Sequence, residues 1–154
     1  MKENINQKIA KIPFWTLYAI SAFIITFDLV FTYFFLSANS HAREGNPLNA
    51  YLASIFGLNY FLVLIPIVMI LLFAAAKLAG WFIGAFYKNS QIKGDNHVLV
   101  AVILLTFSNV LFNEVFVLLF DIKPMLSFKN VLMIGMLLMG IYIAITEIAD
   151  SKSK

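Results

Sequence analysis

Four ionisable residues, Asp28, Lys77, Glu114 and Glu147, stand inside or at the edge of long apolar stretches. On insertion scales a charged side chain at a bilayer centre costs about 3 kcal/mol, so each needs a partner, a proton or water. On a helix Ser21, Asp28 and Thr32 share one face, since seven residues make nearly two turns. Thr106, Asn109 and Asn113 share another, with Glu114 about 100° around from Asn113. At about 1.5 Å of rise per residue, Asp28 and Glu114 both lie about 22–24 Å from the inner ends of their helices, with Lys77 about 10 Å closer to the inside. Two carboxylates at one depth in a low dielectric share a proton or a cation. Lys77 is expected to reach into the Asp28, Thr32, Asn109, Asn113 and Glu114 cluster or to lie just beneath it, because an ammonium alone in hydrocarbon is costly.

Plainer roles compete with each of these. Asn and Thr side chains hold membrane helices together without further function, and Ala76, Gly80 and Gly84 form a small-x-x-x-small series that permits close helix packing. Glu147 sits near a helix end, where solvent reaches it. His41 and His97 fall outside the apolar runs and read as interfacial loop residues. With no cysteine and only those two histidines, no metal site, redox cofactor or thiol chemistry is visible. No cofactor is expected, and no catalytic residue can be named.

The elements that position these residues follow from hydropathy. The 154 residues are 62% hydrophobic and 12% charged, with a mean hydropathy of +0.89, values that fit lipid better than water as the solvent. Apolar runs over about 13–36, 60–86, 98–120 and 126–148 are each near the roughly 20 helical residues that a bilayer requires. The expected architecture is all-α, one membrane domain over 1–154 with four transmembrane helices. The first run is too long for the apolar core of a signal peptide and is taken as a membrane helix. Between the first two spans, Asn46 and Pro47 are suited to capping and starting a helix over 47–56 that Gly57 stops. That helix is too short to span and belongs at the interface or part-way in.

The net charge of +3 comes from lysines beside the apolar runs, which argues for topology rather than nucleic-acid binding. With the amino terminus inside, Lys2, Lys8, Lys11, Lys88, Lys93, Lys152 and Lys154 are cytoplasmic, and Arg43, Lys123 and Lys129 lie opposite. A multi-pass protein of the cell membrane with both termini cytoplasmic is the expectation.

Asp28-x-x-x-Thr32, then Glu44-x-Asn46-Pro47, then Lys77 on the next long helix resemble a small uncharacterised family of prokaryotic multi-helix membrane proteins. The match covers about the first half of the chain, with Asn109 and Asn113 reminiscent of the family's asparagine-bearing helix. The resemblance implies a polar centre built from Asp28, Thr32, Glu44, Asn46 and Lys77, and it brings no activity with it. Three functions stay open. The first is a small membrane subunit or scaffold that assembles with itself or with other membrane subunits through Ala76, Gly80 and Gly84. The second is a proton- or ion-coupled carrier that uses Asp28, Glu114 and Lys77. The third is a lipid-acting enzyme at the outer interface, which lacks a nucleophile–base pair and a metal-ligand cluster, so the weight falls on a non-enzyme.

The topology is testable because the chain has no native cysteine. With an impermeant thiol reagent on intact cells, Ser40→Cys should be labelled and Ser151→Cys should not. The reverse pattern would place both termini outside.

Overall fold

The computed structural model describes residues 5–38, 44, 46–86, 93–115, 119 and 128–151. Among them the protein is helical throughout. Its elements are α1 (Ile5–Lys11), α2 (Phe14–Ala38), α3 (Pro47–Phe56), α4 (Tyr60–Phe86), α5 (Gly94–Asn109), a π-helical segment (Val110–Val115) continuing α5, and α6 (Phe128–Ser151).

The Glu-x-Asn-Pro sequence folds as a helix start. Asn46 Oδ1 accepts from the Leu48 amide at 3.0 Å, and Glu44 Oε1 accepts from the Asn46 amide at 2.7 Å. Pro47 takes the first helical position, where its missing N–H costs nothing. Ten residues later Gly57, at φ 75°, ends α3 in a backbone region that favours glycine.

Among the described residues three helices are long and apolar enough to cross a membrane, Phe14–Ala38, Tyr60–Ala85 and Lys129–Thr146. This corrects the expectation of four such helices. The run expected over 98–120 is instead a 16-residue α-helix opening on Gly94-Asp95-Asn96-His97 and then passing into π geometry. Its surroundings explain its lower hydropathy. It packs against α1, α2, α4 and α6, and of its side chains only Phe107 is exposed. A helix enclosed by other helices needs no lipid-grade surface, whereas α2, α4 and α6 turn large apolar side chains such as Phe23, Ile70, Leu78 and Leu137 outward. Toward the α1 end the core is Leu17 of α2, Leu72 and Ala76 of α4, and Leu99 of α5.

Close approach of α4 and α5 depends on glycine from both sides. A Cβ on Gly80 would stand 2.8 Å from both the Cβ and the amide nitrogen of Asp95, and one on Gly94 would stand 2.8 Å from the Ile83 Cβ. Ala76 lies fully buried in the same packing. Gly84, the third member of the small series, has nothing within 4 Å of an added Cβ. Two of the three small residues are therefore used inside the chain.

Gly80→Ala should lower stability by about 1–3 kcal/mol through overpacking against a backbone that cannot step aside. Gly84→Ala should be neutral or stabilising by up to about 1 kcal/mol, from helix propensity alone. Thermal unfolding of the two variants in detergent checks the split; equal effects would show that Gly80 is not a packing contact.

Candidate functional site

The polar site forms where α2 passes the end of α5. Asn109 Nδ2 donates to Asp28 Oδ1 at 2.9 Å. Glu114, only 3% exposed, has Asp28 as its principal acidic neighbour, with the charge of Glu44 a weaker influence. Its Oε2 is buried with no hydrogen-bond partner among the described residues. The Asp28 carboxyl is thus tied to the Asn109 amide, with the Glu114 carboxyl buried beside it. A hydrogen bond between two carboxyls needs a proton on one of them, since ionised carboxylates only accept.

The π segment makes this convergence possible. In an α-helix Glu114 stands about 140° around from Asn109, turned away from the face that meets α2. In π geometry hydrogen bonds run from i to i+5, and residues five apart come onto nearly one face. Asn109 and Glu114 are five apart, and Val110–Val115 is π-helical. Both side chains therefore address Asp28. Such π turns inside α-helices concentrate at functional sites.

Thr32 is half-buried one turn beyond Asp28; among the described residues no hydrogen bond joins it to the pair. Asn46 and Pro47 cap α3, and their part in the site is to hold Glu44 beside them. The side chains of Asn113 and Glu147, like His41, lie outside the described residues.

Lys77 is not in this cluster. Its Nζ is 2.8 Å from Asp95 Oδ2 and 3.5 Å from the centre of the Phe14 ring. Phe14 begins α2, so Lys77 is level with the α1 end of that helix, about 21 Å along the axis from Asp28. The depth expected from sequence fails because it assumes that the helices end together. In fact α4 runs on to Phe86, about 13 Å beyond Lys77. The side chain is 46% exposed and satisfied at the rim, where Trp15 and Trp81 also face outward as interfacial aromatics do.

A second set of polar contacts, with no counterpart in the sequence reading, fastens α1 to the other helices and α5 to α6. Asn96 Nδ2 donates to the carbonyls of Ile9 at 3.0 Å and Ile12 at 2.9 Å, which satisfies acceptors left over at the end of α1. Asn6 Nδ2 donates to the Thr146 carbonyl at 3.2 Å, and His97 Nδ1 meets the Tyr142 hydroxyl. Residues 1–12 read as a polar tail, and only the spacing of Asn6 and Ile9, the two buried residues of α1, hints at a packed face. Asp95 at the first turn of α5 is the usual acid at a helix start, but nothing local names Lys77 as its partner.

No family model, curated protein or solved structure matches this chain, so its function has to be read from its own residues.

Proposed function

We propose that the protein crosses the cell membrane four times, with α2, α4, α6 and the α5–π helix, and that Asp28 and Glu114 bind and release one proton as the coupling step of a proton-coupled carrier. Both termini are cytoplasmic in this reading, and α3 lies at the outer surface with Glu44. The helix α5 with its π continuation is about 30 Å long, enough for the hydrocarbon layer.

The burial of Glu114, with one carboxyl oxygen lacking a partner among the described residues, next to the Asp28 carboxyl that accepts from Asn109, carries the reading. Asn109 supplies a donor to the carboxylate member, and one proton lies between the two acids. Losing that proton sets two anions face to face in a medium of low dielectric, so occupancy of the pair is tied to its geometry. The π turn supplies a second geometry. Relaxation of Val110–Val115 to α turns Glu114 roughly a quarter turn away from Asp28. Protonation and helix form thereby favour or oppose each other, as a coupled carrier requires. Four helices give little room for alternating access, so the working unit in this proposal is an oligomer.

The packing in the chain weighs against a pure scaffold. Ala76 and Gly80, the surface that would have served self-assembly, are occupied by α5. The enzyme reading gains nothing, because no group of three or more potential metal ligands is present among the described residues.

A lipid-permeant carbodiimide tests the proton directly, because it adds only to a protonated carboxyl. At neutral pH, peptide mass analysis should find the adduct on Glu114 or Asp28 and not on Asp95, whose carboxylate is ion-paired. Asp28→Asn should stay folded because it keeps a hydrogen-bonding side chain, whereas Asp28→Leu, which strands Asn109 and Glu114, should cost about 1–3 kcal/mol. An unlabelled pair at neutral pH would falsify the proton reading.

A further inference from the structure

Independently of the proton on Asp28, and using only the crossings of α2 and α4, we infer that the Lys77–Asp95 pair at the α1 end holds the headgroup of a phospholipid. The headgroup carries both a phosphate diester and a primary ammonium, as in phosphatidylethanolamine. The pair is fixed in place and still has hydrogen bonds to make. Lys77 Nζ has three N–H donors; one goes to Asp95 Oδ2 at 2.8 Å, and the Phe14 ring, centred 3.5 Å from Nζ, faces the charge. A donor is left over on a side chain that is 46% exposed. Asp95 Oδ1 accepts from the Asn96 amide at 3.0 Å, and a carboxylate accepts about four donors in all. Its side chain, 23% exposed, therefore has acceptor sites open.

Charge decides among headgroups. The ion pair is neutral as a whole, so it has no long-range pull on a purely anionic headgroup, and a phosphate set against Lys77 alone is repelled by the carboxylate beside it. A headgroup with its own ammonium puts phosphate on Lys77 and ammonium on Asp95, and four charges then alternate in sign. A quaternary choline has no N–H with which to meet the carboxylate. The neighbouring rings place the pair at headgroup depth. Phe73 precedes Lys77 by four residues and Trp81 follows by four, so the three share one face of α4 at levels about 6 Å apart. On the hydrocarbon side of Lys77, Trp15 stacks on Phe73 at 5.9 Å and 19°. The Tyr18 hydroxyl fastens α2 to α4 there by donating to the Met69 carbonyl at 2.9 Å. Trp15 and Trp81 are 65% and 74% exposed, as indoles are at the membrane interface. Acyl chains thus run along an aromatic wall, and the headgroup above them meets the ion pair.

Trp15 and Trp81 are the chain's two tryptophans, so intrinsic fluorescence reads this site, and lipids with brominated acyl chains quench indoles that they touch. The wild-type protein in phosphatidylcholine vesicles should be quenched more by brominated phosphatidylethanolamine than by an equal mole fraction of brominated phosphatidylcholine or phosphatidylglycerol. The apparent affinities should differ about fivefold, the yield of one net hydrogen bond. N-acetylation of the ethanolamine removes the ammonium and should abolish the preference in the wild-type protein, so this arm does not depend on the folding of a variant. Asp95→Asn leaves Lys77 as a lone cation and should shift the preference to phosphatidylglycerol, whereas Lys77→Met should leave none. Equal quenching by the three headgroups overturns the inference, as does a preference that survives N-acetylation or a folded variant of either kind that keeps the wild-type order. Those results leave the carboxyl pair and its proton untouched. Tryptophans that no brominated lipid quenches would remove the membrane crossing of α2 and α4 as well, and the carrier with it.

Discussion

Asp28 cannot stand alone inside a helix assembly whose outer faces are made for hydrocarbon, and much of the structure around it answers that constraint. Its carboxyl oxygen accepts from the Asn109 side-chain amide at 2.9 Å, and the buried Glu114 is its acidic neighbour. A buried carboxylate without such partners would cost several kcal/mol. In the proposed reading, meeting that demand with a second acid rather than with a cation makes the site protonatable. The lysine that might have neutralised it is committed about 21 Å away, to Asp95 and the Phe14 ring.

The same constraint accounts for α5. A helix that must present Asn109 and Glu114 to α2 on one side and Asn96 to α1 at its start has little apolar surface left for lipid. It is therefore surrounded. The apolar helices α2, α4 and α6 pack around it, and the glycine contacts at Gly80 and Gly94 let α4 come close enough to cover its first turns. The change to π geometry at Val110 interrupts regular hydrogen bonding, which is tolerable where neighbouring helices shield the backbone.

Polar chemistry is segregated along the axis. One end holds Glu44, Asp28, Asn109 and Glu114. The other holds the Lys77–Asp95 ion pair, the Asn6 and Asn96 contacts that seat α1, and the His97–Tyr142 contact between α5 and α6. Between them lies a layer of Leu and Ala, Leu17, Leu72, Ala76 and Leu99, whose packing adds stability.

The all-helical class, the long runs that became α2, α4 and α6, and α3 with its Asn46 cap and Gly57 stop were legible in the residues themselves. Hydropathy and capping are local, and lipid or water judges each segment separately. That Asp28 and Asn109 occupy inward faces was also suggested by their spacing, since helical periodicity needs no knowledge of neighbours. Three things were decided only by the tertiary structure. Glu114 joined Asp28 because Val110–Val115 adopted π geometry, which α-helical counting from the sequence cannot foresee. Lys77 went to Asp95 because α4 overruns the start of α2, and relative helix offset is set by packing of residues distant in sequence, here Gly80 against Asp95. Residues 5–11 became a seated helix because Asn96, about ninety residues away, supplies donors to its last carbonyls; no local signal encodes a partner at that distance.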